Sequence, residues 1–124
     1  MSAFGKLAET APHRIWAGVL GRVVAGELVT FVVVELDPHT LVPEHAHENE
    51  QIGVLAQGAM CFRIGDEEQE LEPGGTWHIP AHAPHTVTAG PNGAVAIEVF
   101  APPRGDWDAL DRGPASAPSW PGPG

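Results

Sequence analysis

Clusters of turn-forming residues interrupt this chain about every ten residues, and no other feature constrains its fold as much. "LGR" (20–22), "DPHT" (37–40), "EPGG" (72–75), "PAHAP" (80–84) and "GPNG" (90–93) separate short runs rich in β-branched and apolar residues. The runs are "RIWAGVL" (14–20), "LVTFVVVEL" (28–36), "VPEHAH" (42–47), "QIGVLAQG" (51–58), "AMCFRIG" (59–65), "EQELE" (68–72), "TWHIP" (76–80), "HTVTA" (85–89) and "AVAIEVF" (94–100). Segments this short, at this spacing, predict an all-β sandwich or barrel. A helical pattern is confined to "DWDALDR" (106–112), where Asp106 is placed to cap one or two turns.

With 124 residues there is material for one hydrophobic core. Residues 13–112 are expected to form the β-barrel domain, preceded by an N-terminal segment (1–12). The Pro/Gly-rich "GPASAPSWPGPG" (113–124) is expected as a poorly ordered or surface-draped tail. Sixteen acids against six bases give a formal charge of −10, which repels phosphate backbones and argues against nucleic acid as a partner. An anionic substrate would then need a local positive charge. The single cysteine, Cys61, excludes an internal disulfide and reads as inert packing. With no signal-peptide pattern and no run of membrane-spanning length, a soluble cytoplasmic protein without membrane partners is expected.

The chemistry lies in the histidines. On a strand, residues two apart share a face, so His45 and His47 can aim their imidazoles at one point. Seven histidines in 124 residues make one such pair a common accident, so the wider spacing has to carry the reading. His45 and His47 open an H-x-H-x(3)-Q-x(6)-G pattern that ends at Gln51 and Gly58, and "PGGTWHIPAHAPHTV" (73–87) follows with Pro80 and His85.

These two segments, in this order, resemble the two motifs of the cupin superfamily, over roughly residues 28–100. The first motif there reads H-x-H-x(3,4)-E-x(6)-G and the second P-x-G-x(2)-H-x(3)-N. The resemblance implies a single-domain jelly-roll barrel (double-stranded β-helix) with a divalent metal, Zn, Fe, Ni or Mn, held by His45, His47, Gln51 and His85. Three positions depart from the motifs: Gln51 stands for Glu, His82 for Gly and Ala89 for Asn. Glu48 and Glu50 lie close enough to compete with Gln51 as the fourth ligand. An amide in place of a carboxylate leaves all four ligands neutral. It also removes the two-His-one-carboxylate pattern of many iron oxygenases and tilts the reading toward non-redox chemistry.

Cupins carrying this glutamine variant include the pectin-degradation proteins acting on unsaturated uronates and some aromatic polyketide cyclases. "EVFAPPRGDW" (98–107) is similar to the segment that closes the barrel in the uronate group. The resemblance gives Glu98 and Arg104 as candidate catalytic residues and Phe100 as a pocket residue, Glu98 moving a proton and Arg104 meeting a carboxylate. Each also has a plain reading: Glu98 as a solvated strand residue, Arg104 as a partner of Asp106 or Asp108. His78 and His82 are candidates for substrate contact, against readings as a structural histidine and an exposed turn residue. His13 and His39 read as surface, and Trp77 and Phe62 as core.

The expected function is a metal-dependent isomerase, cyclase or lyase acting on a small carbonyl or enol substrate, such as an unsaturated sugar acid or a polyketide. An Fe-dependent dioxygenase and a non-catalytic small-molecule binding cupin are the alternatives. A homodimer is expected, because the resemblance to cupins of this size implies one and "LVTFVVVEL" reads as an apolar edge run that gains from cover.

Overall fold

A computed structural model describes residues 2–122. Eight strands pair antiparallel into one sheet: β1 (His13–Trp16), β2 (Val19–Ala25), β3 (Thr30–Leu36), β4 (Leu41–His45), β5 (Glu50–Ile64), β6 (Glu67–Leu71), β7 (Thr76–Ile79) and β8 (His85–Ala101). Two short 3-10 turns, Leu7–Glu9 and Gly105–Ala109, are the helical elements among the described residues. The architecture is all-β, as the turn spacing predicts, and matches the jelly roll that the resemblance implies.

Two long strands organise it. The first half of β5 and the second half of β8 pair with each other, flanked by β7 on one side and by β3, β2 and β1 on the other. Their remaining halves pair again, now between β6 and β4. One hydrogen-bonded ribbon therefore runs through both walls and must bend between them. The bend is built from register shifts at Leu55/Gln57 and Gly58/Met60. Gly58 sits there at φ 80, where a side chain would collide with the Gly93 carbonyl.

This corrects two boundaries drawn from the sequence. Runs 51–58 and 59–65 form one strand, as do 85–89 and 94–100. Their Gly and Pro residues bend a strand and do not end it. The opposite happens in 14–20, where Gly18 at φ 78 turns the chain, so "LGR" lies inside β2. A third correction concerns β3, which pairs with β2 and β8 on its two sides and is no edge. Within the apolar run 28–36, Thr30–Leu36 form a central strand while Leu28 and Val29 lie outside it and are exposed, and the edge-cover reason for a dimer falls.

Alternation sorts the side chains. Val32, Val34 and Leu36 of β3 face the interior with Leu55, Met60, Phe62, Trp77, Ile79, Ala96 and Phe100. Ile79 and Val32 are fully buried; each such side chain contributes about 1.5–3 kcal/mol relative to exposure.

The outer face of β2 and β3 carries Arg22, which is 2% exposed. Its Nε donates to Glu35 at 2.6 Å. Its terminal nitrogens donate to the carbonyls of Leu7, Thr10 and Ser116 and to the Ser116 hydroxyl. Ser119 closes the group by donating twice to Glu35. Both terminal segments are thus clasped over this face, and the 113–124 tail is draped and pinned as far as it is described.

The expected helix at 106–112 is one 3-10 turn with no side-chain cap, because Asp106 spends its carboxylate on Arg104. His13, read as surface, is 7% exposed at the start of β1, where burial lowers its pKa. No helix among the described residues is long and apolar enough to cross a membrane.

Candidate metal centre

His45 ends β4 and His85 begins β8, directly opposite each other in the ladder. His47 lies past the end of β4, so strand alternation alone does not bring it in. Its backbone carbonyl instead accepts from the His82 amide at 2.7 Å, which folds the loop inward. One ring nitrogen from each of His45, His47 and His85 lies within 4.8 Å of the others.

The tautomers follow from the partners. Each Nδ1 faces a backbone carbonyl: His45 that of Pro43 at 2.8 Å, His47 that of Asn49 and His85 that of Ala83, both at 2.9 Å. A carbonyl only accepts, so every Nδ1 carries a proton, and in the neutral ring the Nε2 then presents a lone pair. Burial, reinforced by the neighbouring imidazoles and Arg104, lowers the pKa of His85 to about 4. Burial also lowers that of His47. Neutral rings with bare Nε2 atoms are the form in which histidine binds metal.

Two features show that a cation fits. The His85 Nε2 is buried with no hydrogen-bond partner, an omission that costs about 1–3 kcal/mol in a packed protein. The His47 Nε2 faces the Gln51 Oε1 at 3.1 Å, which sets two acceptors against each other. The amide cannot relieve this by turning over, because its Nε2 donates to the Glu98 carboxylate behind it. Glu98 is thus the outer partner that orients Gln51.

Glu98 is 8% exposed, and burial pushes its pKa up to about 7. Gln51 and Trp77 oppose the shift by donating to its Oε2, Trp77 at 3.2 Å through the indole N–H. Trp77, expected as core, is core and also a partner of this acid. Gly53 makes that possible, since any side chain there would collide with the Trp77 ring. Sequence reasoning did not single out Asn49: buried, it donates to the carbonyls of Pro102 and Pro103 and ties the histidine loop to the end of β8.

The remaining candidates divide. Glu98 and Phe100 point inward, as alternation on β8 requires, and both line a cavity of about 200 Å³ with His45, Gln51 and His85. Phe100 stands edge-on to His47. Arg104 also lines the cavity, but its guanidinium is held by Asp106 through two bonds of 3.0 and 2.9 Å. Glu50 and His78 face outward and pair with each other at 2.6 Å, so the inward residue is Gln51 and not Glu50. His82 is exposed at φ 66 and contributes its backbone N–H. Neither His78 nor His82 borders this cavity. Their side chains lie on the outer side of a strand and on a turn. Cys61 donates to Glu68 at 3.2 Å, and that carboxylate raises its pKa, which keeps the thiol unreactive.

The family model described as "Cupin domain" matches residues 32–100. The chain belongs to the cupin family. No curated protein sequence matches this cupin. Among solved structures it is similar to KdgF from Halomonas sp., at 28% identity and a TM-score of 0.78, covering 86% of this chain and 98% of that one. It is also similar to an RmlC-like cupin from Shewanella frigidimarina, at 21% identity and a TM-score of 0.79, covering 86% and 96%. A third, TT1209 from Thermus thermophilus, is 25% identical with a TM-score of 0.69, covering 82% and 99%.

Proposed function

We propose that this cupin is a metal-dependent enzyme of the isomerase, cyclase or lyase type, acting without oxidation on a small carbonyl or enol substrate. The observation that carries it is the four-donor set, three bare imidazole nitrogens and the Gln51 amide oxygen, backed by a buried acid. His45, His47, His85 and Gln51 would hold the ion. An imidazole set suits Zn, Fe and Ni, and the amide oxygen extends it to Mn. Bound among neutral ligands, a divalent cation supplies Lewis acidity toward a substrate oxygen.

The chain's own residues supply the rest. Glu98 lines the cavity with both of its hydrogen bonds on Oε2, so its other oxygen is left to hold or release a proton. Phe100 and Trp107, both buried, pack edge-to-face on the cavity wall. Arg104 and Asp106, locked together, border the cavity as a paired charge.

The test is Glu98→Gln in the metal-loaded protein. Retained metal with turnover of a β-dicarbonyl or unsaturated uronate substrate reduced by at least about a hundredfold supports the reading. Unchanged turnover removes Glu98 from the mechanism. Oxygen uptake by the Fe(II) form with such a substrate would move the protein to the dioxygenases.

A homodimer is proposed on a new basis. Val24, Phe31, Val99 and Ile52 stand in register across β2, β3, β8 and β5 on the outer face, with Val24 and Ile52 each 55% exposed. A second copy would cover this row; a monomeric mass in light scattering would refute it.

A further inference from the structure

Away from the histidines, the cavity wall is hydrocarbon. Val19, Val34 and Leu36 border it from β2 and β3, and Val42, Met60 and Val87 from β4, β5 and β8. These pack in or against the core, and the cavity they share with the histidine end is about 200 Å³. That exceeds the roughly 150 Å³ of an aliphatic-lined cavity able to stay dry and take up benzene.

Several of the N–H donors on the wall are already engaged. The Trp77 N–H and the Gln51 amide protons go to Glu98, and the histidine Nδ1 protons go to backbone carbonyls. Arg104 is the one cation of the lining, and Asp106 neutralises it in place. Its faces are covered by Phe100 at 4.9 Å and Trp107 at 4.4 Å. The positive charge that a sugar acid would need is therefore already paired, with an Asp106 side chain that is 64% exposed. A polyhydroxylated anion entering here would shed water from every hydroxyl and meet aliphatic carbon. A hydrocarbon ring meets a matched surface. Trp16 is 38% exposed and also borders the cavity, its ring 5.3 Å from that of His45, so an aromatic slab stands beside the coordinating end.

We infer that the ligand of this site is a compact molecule with two adjacent oxygens at one end and an uncharged hydrocarbon body about one ring in size. This is an enol or dicarbonyl of polyketide character and not a hydroxylated sugar acid. The oxygen-bearing head rests on the metal reading proposed above; the body rests on the wall alone, so the two are tested apart.

Toluene, which cannot chelate, is titrated into the metal-free protein while the methyl NMR signals of Met60, Val34 and Leu36 are followed. Saturable shifts of those signals are expected, weakened several-fold by Val34→Thr, which keeps the side-chain shape and adds a hydroxyl. Absence of saturable shifts in the folded wild-type protein overturns the hydrocarbon body. Tropolone and D-glucuronate are then titrated calorimetrically into the zinc-loaded protein. Tropolone is expected to bind at least tenfold more tightly, with a lower preference in Val34→Thr; equal or tighter binding of glucuronate overturns the inference. If zinc fails to bind while toluene still does, the metal reading fails and the assignment of the body stands.

Discussion

Two buried polar clusters sit on opposite faces of the same sheet, and they are built in opposite ways. On the outer face, Arg22 is surrounded by acceptors from Glu35, both terminal segments and Ser116, and each of its side-chain nitrogens is matched. On the inner face, the His85 Nε2 has no partner and the His47 Nε2 meets another acceptor. The first cluster is finished without anything added. The second is complete only when something positive lies between its members. A saturated buried network holds a fold together, whereas a converging set of lone pairs marks where a ligand belongs.

The sharpest way to break the comparison is to strike the outer cluster. Arg22→Ala leaves Glu35 without its cation and removes the ties to Leu7, Thr10 and Ser116, and should lower unfolding free energy in urea by about 3 kcal/mol. Zinc affinity of the fraction still folded should stay within about threefold. No metal-site residue hydrogen-bonds to Arg22, and an outer residue tunes a metal only through the ligands it touches. A large fall in affinity would show that the two faces are coupled.

His85→Ala should do the reverse. Zinc affinity should fall by more than the roughly 10–100-fold typical of losing an outer partner. Stability of the metal-free protein should change by less than about 1 kcal/mol, because the substitution also removes an unsatisfied buried atom. Denaturation with and without chelator separates the two effects.

Gly53→Ala acts between these extremes. The added methyl displaces the Trp77 ring and with it the N–H that holds Glu98. About 1–3 kcal/mol of stability should be lost through overpacking. A smaller fall in zinc affinity should follow as Gln51 loses its backing; unchanged affinity would mean that the Glu98–Gln51 pair orients itself.

The smallest effect is a pH dependence. Burial alone would raise the pKa of Glu35, but Arg22 and Ser119 outweigh it, and the folded value lies below the ordinary 4.5. The stabilisation is therefore complete above that ordinary value and disappears as pH falls through the depressed one. Melting temperatures of wild type and Glu35→Gln should differ near neutral pH and converge in acid, below the depressed value. A difference that persists in acid would place the Glu35 contribution in shape and not in charge.

Much of the site is legible in the sequence, for identifiable reasons. The period-two pattern of "AVAIEVF" puts Glu98 and Phe100 on the inner face, and spacing alone puts Gln51 ahead of Glu50. What alternation cannot supply is His47, which is carried by a loop whose course depends on Asn49 and the His82 amide. The bends in β5 and β8 look like breaks because glycine and proline mark both, and only long-range pairing tells them apart. Arg104 is legible as a charge near the pocket and as a partner of Asp106 or Asp108, and the turn at Gly105–Ala109 decides for Asp106. The clasp at Arg22 joins positions far apart in sequence, and no local pattern announces it.

The central claim is that three imidazoles and one amide oxygen surround a single cation. Crystals of the zinc-loaded protein, with anomalous data collected on both sides of the zinc edge, test it most directly. The expected result is one strong peak within bonding reach of the Nε2 atoms of His45, His47 and His85 and of the Gln51 Oε1. Zinc bound elsewhere, or those four atoms hydrogen-bonded to water with no peak among them, would contradict it.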